Sequence, residues 1–357
     1  MAKKTSIGGQ ALIEGIMMKG PHKTSMAVRK KDGTIDISEV KEKHLKDKCR
    51  IFGWPLIRGM VNLIESMMIG YKTMMQSADI SGFTDLEDEP QKTEVPETAE
   101  APVAEAAEAA ETEPPTATAE PEAEPAAEAP KEPDKKESVL TGVIMTVGAV
   151  LGVALALVLF MYLPSLAFKG IEYLAGADLK MYKGLIEGVL KMAIFVSYIA
   201  VVALEKDIKR VFMYHGAEHK TIFCYESGKE LTVENVRGFK RFHPRCGTSF
   251  MFLMLAVGIL ISSVLVVVLP DFIVSRNYIW VPIKILLLPL TCGLGYELIK
   301  ICGRHDNFIT RIIAAPGLWI QRLTTKEPTD DMIEIAIAAV KEVIPEDGSD
   351  ELGCGCK

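Results

Sequence analysis

The chain has 357 residues, 49% of them hydrophobic, with 47 acidic and 40 basic side chains and a formal net charge of −7. Residues 81–137 alone hold 18 acidic and four basic side chains, about −14, so the remainder carries about +7. That excludes reading the net charge as that of an acidic soluble protein: a basic, apolar remainder suits a membrane surface, and no nucleic acid partner is expected.

Residues 1–48 begin with Met1-Ala2-Lys3-Lys4-Thr5-Ser6, which lacks the continuous apolar core of a cleaved signal peptide. Short apolar stretches then alternate with Gly, Pro and charge. The turn Lys31-Asp32-Gly33-Thr34 between Met26–Lys30 and Thr34–Val40 predicts a β-hairpin in a small cytosolic sheet. In segment 49–80, residues 51–75 are rich in Met and Ile, with Arg58, Asn62 and Glu65 on one stripe, as in an interfacial amphipathic helix. Arg58 and Glu65 argue against a crossing, since charge inside lipid is costly.

Residues 81–137 consist almost wholly of Glu, Ala, Pro and Thr. Such a segment buries too little apolar surface to offset chain entropy and reads as a disordered linker. Four apolar runs follow. Residues 139–163 carry no charge over about 25 positions, more than the roughly 20 needed to cross a bilayer. Residues 185–204 include only Glu187 and Lys191, residues 250–269 carry no charge, and residues 278–299 contain Lys284, Glu297, Pro282 and Pro289, which predicts a kinked helix. The expected architecture is mainly α: a polytopic membrane protein with about four transmembrane helices in segments 138–204 and 250–300. The small β-containing unit and the interfacial helix precede them.

The connection 205–249 holds Lys206, Lys209, Arg210, Lys220, Lys229, Arg237, Lys240, Arg241 and Arg245, whereas the loops on the other side are poor in Lys and Arg. The positive-inside rule puts 205–249, the C-terminal segment 301–357 and both termini in the cytosol. Seven cysteines, at 49, 224, 246, 292, 302, 354 and 356, are then reduced thiols. Cys354 and Cys356 could trap a soft metal as a C-x-C pair but read more simply as a tail.

Within 205–249, His215-Gly216-Ala217-Glu218-His219 places two imidazoles four residues apart. On a helix they share a face and can hold one divalent ion, zinc by ligand type, in the inverzincin order, with Glu218 as general base. Further donors are His243 and Cys246 at the entrance of the third span, Glu297 at the cytosolic end of the fourth, and His305 beyond it. Lys220 beside His219 opposes a second cation. In Gly8-Gly9-Gln10 the glycines allow close backbone approach, with Gln10 and Glu14 facing the metal site or a ligand. Arg58 and Arg245 are candidate partners for an intramembrane Glu297.

The run from Gly8 to Pro21, the strings YHGAEHKTIFCYE at 214–226 and HPRCGTSF at 243–250, and Pro316–Gln321 with Leu323–Pro328 resemble the YqhQ-like family, domain of unknown function 1385. The resemblance covers the whole chain apart from the acidic insert and the last few residues. It implies a metal-dependent protein of a bacterial-type cytoplasmic membrane, with no established reaction. Two functions are compatible with these residues. One is a membrane-embedded metal hydrolase acting on a lipid head group or a membrane-proximal peptide. The other is a regulator, scaffold or transporter component with a structural metal. An open coordination position favours the first, and convergence of His215, His219, His243 and Cys246 on one ion favours the second.

Overall fold

The computed structural model describes residues 4–41, 54, 57–82, 147–148, 150–304 and 307–350. Residues 83–137, the span start at 139–146, Cys49, His305, Cys354 and Cys356 lie outside the described residues. Met1–Asp88 and Ala154–Lys357 form one compact unit. Of the other, Glu89–Val153, the described residues form the start of a helix.

The N-terminal unit is an antiparallel meander of β1 (Gly8–Leu12), β2 (Gly15–Lys19), β3 (Thr24–Arg29) and β4 (Ile35–Glu39), in the order β1-β2-β3-β4. The expected hairpin is β3–β4, turning at Gly33 with φ +85°. Alternation along β2 explains the layering: Ile16 and Met18 point to one face, Met17 to the other, and all three are buried. On the first face they join a core with Ala11, Ala27, Tyr214, Ala217 and the helix that ends the described fold. On the second, Leu12, Met17, Met26 and Val40 meet Ile69, Met74 and Ile80 of α1 (Ile57–Ser81). The sheet is therefore the middle of three layers.

Among the described residues, three helices are long and apolar enough to cross a membrane. They are α2 (Val150–Ala175), the run Lys180–Val202 that contains α3 (Lys183–Val202), and α6 (Gly247–Val268). The first runs on past the end of the charge-free stretch 139–163, because Pro164 does not end it. A π-turn at Val158–Tyr162 precedes the proline and accommodates its missing N–H, so the helix continues to Ala175. The expected kinked fourth span is α8 (Asn277–Leu286) followed by α9 (Leu288–Arg304), bent by 44°. Pro289 cannot donate to the carbonyl four residues back, which places the break at Leu287. A short α7 (Asp271–Val274) links α6 to α8.

Glu187, Lys284 and Lys183 gather in one buried cluster within these helices. Lys284 Nζ donates to Glu187 Oε2 at 2.8 Å and to Ser165 Oγ at 3.0 Å, and Trp280 Nε1 donates to Glu187 Oε2 at 3.0 Å. Lys183 stands 4.0 Å from Glu187 Oε1.

Residues 205–249 are largely helical: α4 (Lys206–Glu226) and a short α5 (Val233–Arg237). The C-terminal segment adds α10 (Phe308–Thr324) and α11 (Asp330–Lys341). Helix α11 buries Met332, Ile333, Ile335, Ala336, Ile337, Ala339 and Val340 between the sheet and α4. At about 1.5–3 kcal/mol for each large apolar side chain, this helix ties the two together.

Candidate metal centre

Helix α4 starts at Glu205, whose carboxylate accepts from Lys206 N–H, and buries one side on the sheet and α11. Its helical spacing brings the His215 and His219 rings to 4.4 Å between centroids. Gly216 lies between them because the chain after α10 crosses there: a Cβ on Gly216 would come 2.1 Å from the Lys326 carbonyl oxygen. Lys326 N–H donates to the Phe212 carbonyl at 2.8 Å, locking that crossing. The same approach delivers the Thr324 carbonyl to His215 Nδ1 at 2.8 Å.

His219 Nδ1 donates in turn to the Arg241 carbonyl at 2.5 Å. Both imidazoles thus carry their proton on Nδ1 and turn the Nε2 lone pair inward. Cys246, the N-cap of α6, faces them: its Sγ is 3.1 Å from His215 Nε2 and 3.1 Å from Thr248 Oγ1. Donor atoms of His215, His219 and Cys246 all lie within 4.8 Å of one another, the one such cluster among the described residues.

Protonation suits ligation, which requires neutral imidazole and thiolate. Burial lowers the pKa of His219, with His215 adding to the effect. Burial would raise the Cys246 thiol, but His219 and Thr248 outweigh it and hold the thiol below its ordinary value. Burial pushes Glu218 up to about 7, against the favourable influence of His215 and of the Gly9 N–H. Glu218 is 5% exposed, and its Oε2 has no hydrogen-bond partner. Gly9 packs on that carboxyl: a Cβ there would stand 3.1 Å from Glu218 Cδ and 2.5 Å from the Met17 carbonyl oxygen.

The other expected donors go elsewhere. The His243 ring lies 5.6 Å from that of His219, but its Nδ1 accepts from Arg245 N–H at 3.4 Å and its Nε2 faces Glu226 Oε2 at 3.8 Å. Its ring nitrogens are thus not among the donor atoms that gather within 4.8 Å of one another. Glu297 is gripped by Arg58 through two 2.7 Å hydrogen bonds, the pairing expected for an intramembrane carboxylate, and stands outside the cluster of donors. Glu14, at φ 51° in the β1–β2 turn, binds Arg210 and accepts from Tyr214 Oη at 3.1 Å, so it pins α4 rather than facing the cluster. Gln10 lines a cavity of about 560 Å³ with Asn62, Glu65 and Tyr296. Lys220, expected to repel a cation, turns to the Arg237 carbonyl at 3.0 Å and to Glu327.

Several supporting groups went unnoticed in the sequence. Gln321, fully buried, accepts from His243 N–H at 2.8 Å and donates to the His243 carbonyl at 2.7 Å and to Ser249 Oγ at 2.9 Å. Glu226 accepts from Thr5 N–H at 3.0 Å and binds Arg245. Both lie within the motif strings, Gln321 on the buried face of α10. The Thr324 and Arg241 carbonyls leave no trace in side-chain identity.

The model of the family described as "Protein of unknown function (DUF1385)" matches residues 54–346. The chain belongs to that family. It is 29% identical over 341 residues to "Uncharacterized protein YqhQ" of Bacillus subtilis (strain 168), covering 94% of this chain and 92% of that protein. No solved structure matches.

Proposed function

We propose that this family member is a multi-pass membrane protein holding one divalent ion, zinc by its donor set, at the cytosolic membrane face through His215, His219 and Cys246. In this reading it acts as a metal-dependent hydrolase on a lipid head group or a membrane-proximal peptide. The observation that carries it is the donor set. Two imidazoles fixed by carbonyls at Nδ1 and one thiol converge with His243 turned away, which is the three-ligand complement of catalytic zinc sites that keep a fourth position open.

Zinc bound there supplies Lewis acidity, which polarises a carbonyl or phosphoryl oxygen and acidifies water. Glu218 is the general base: its buried, unpartnered Oε2 lies one residue from His219, and Gly9 fixes the rest of the carboxyl. His215 and His219, donating from Nδ1, leave Nε2 for the ion. His243 and Glu226 hold the loop that carries Cys246.

Membrane placement is supported by outward-facing apolar surface. Only 6% of the apolar window in α6 and 11% in each of the other two candidate spans is buried, so these helices do not form a soluble core. The basic residues of 206–245 favour a cytosolic α4.

The decisive measurement is metal analysis of the purified protein by mass spectrometry. One divalent ion per chain is expected, lost in His215→Ala, His219→Ala and Cys246→Ala and kept in Glu218→Gln. Stoichiometric metal in the His215→Ala, His219→Ala double variant would sink the site. Loss of the cellular phenotype in Glu218→Gln with metal intact separates catalysis from a structural role.

A further inference from the structure

Helix α10 has two unlike faces. Thr310, Gly317, Ile320, Gln321 and Thr324 are buried, whereas Phe308 and Trp319 are 79% and 71% exposed and Ile309 and Ile312 more than half exposed. At 17 residues, with Arg311 and Arg322, the helix is too short and too charged to be a span. Yet it lies on the ends of two of them. Gly317 abuts Ser249 in the first turn of α6, and Ile313 shares a small cavity with Leu253 of α6 and Ile299 of α9. Its outward face therefore continues the exposed apolar surface that Met251 and Ile301 present on those helices. At the other end, Arg322 stacks on Trp319 with 5.2 Å from guanidinium to ring, a basic and aromatic pair suited to lipid phosphates at a bilayer boundary.

We infer that the outward face of α10 is inserted into the lipid leaflet on the side of the histidine–cysteine cluster. Phe308, Ile309 and Ile312 meet acyl chains, and Trp319 and Arg322 sit among the head groups. This rests on the membrane reading above but not on the metal. The same helix holds His243 through Gln321 and His215 through the Thr324 carbonyl, so lipid contact and cluster geometry are carried by opposite faces of one rigid element. A substrate that is a lipid, or that emerges from the leaflet beside α10, meets the cluster at a fixed depth.

The test uses the full chain in nanodiscs of phosphatidylcholine and phosphatidylglycerol, with the photoreactive analogue p-benzoylphenylalanine placed at Phe308, Ile312 or Trp319. These positions already carry large apolar groups on the surface, so folding is spared. Leu260 in α6, 68% exposed, serves as the lipid-facing reference, and Glu334 in α11 as the water-facing one. Lipid adducts at the three α10 positions should match the yield at Leu260 and exceed that at Glu334 about tenfold. Labelling of lipid at Leu260 but not in α10, or cross-links from α10 to a second protein chain, overturns the inference and leaves the membrane reading standing. Lipid adducts at none of the positions, Leu260 included, overturn both.

Discussion

His215 Nδ1 and the Thr324 carbonyl oxygen, 109 residues apart in the chain, are joined by a 2.8 Å hydrogen bond. This contact fixes the tautomer and direction of one imidazole of the cluster, and it exists because the segment after α10 lies flat against Gly216. Gly216→Ala puts a methyl into the Lys326 carbonyl and must push that segment away. Metal affinity is expected to fall about 10- to 100-fold, the usual cost of losing an outer-shell partner of a ligating histidine. Competition with a chelator reads the change, and unaltered affinity would show that the carbonyl does not orient His215.

Glu226 links the N-terminal segment to the loop bearing Cys246. It is buried, which alone would raise its pKa, but His243, Arg245 and the Thr5 N–H face it and hold it down to about 2. A depressed carboxylate stabilises the fold above its unfolded value, near 4.5, and that stabilisation is lost as pH falls through about 2. The contribution at neutral pH is roughly 3 kcal/mol. Glu226→Gln should therefore be less stable than the parent protein at pH 7, with the difference shrinking between pH 4.5 and 2. Equilibrium unfolding in detergent across that range checks it; a difference independent of pH would refute the assignment.

Glu187 carries one negative charge among two buried ammoniums, Lys183 and Lys284. Glu187→Gln strands both cations and should destabilise by about 3–5 kcal/mol, more than Lys284→Met, which leaves Lys183 to face the carboxylate. The double variant should cost less than the sum of the two, and simple additivity would mean that the pair does not interact.

Helix α11 secures the sheet to α4. Ile335, fully buried, belongs to the core shared by all three, and Ile335→Ala should cost about 2–5 kcal/mol through lost burial and the cavity left behind. Because Gly9 of the sheet packs on Glu218, added proteolytic susceptibility in β1 should accompany the loss. Limited proteolysis of the variant, with the parent as reference, measures it.

Sequence alone determined whatever depends on neighbours along the chain. Long apolar runs with few charges define elements able to span a bilayer, Pro282 and Pro289 announce a bent one, and the spacing of His215 and His219 places two donors on one helix face. The β3–β4 hairpin follows from its turn. The tertiary structure decided what depends on distances through space. Cys246 completes the cluster because it caps α6 beneath α4. His243, only three residues earlier, turns to Glu226, and Glu297 is claimed by Arg58. Even the C-terminal end of α2 lay beyond local pattern, since a π-turn carries the helix through Pro164. The carbonyls of Thr324 and Arg241 make the two histidines usable, and a carbonyl is the same atom in every residue. No sequence pattern marks it, and packing alone brings it to the ring.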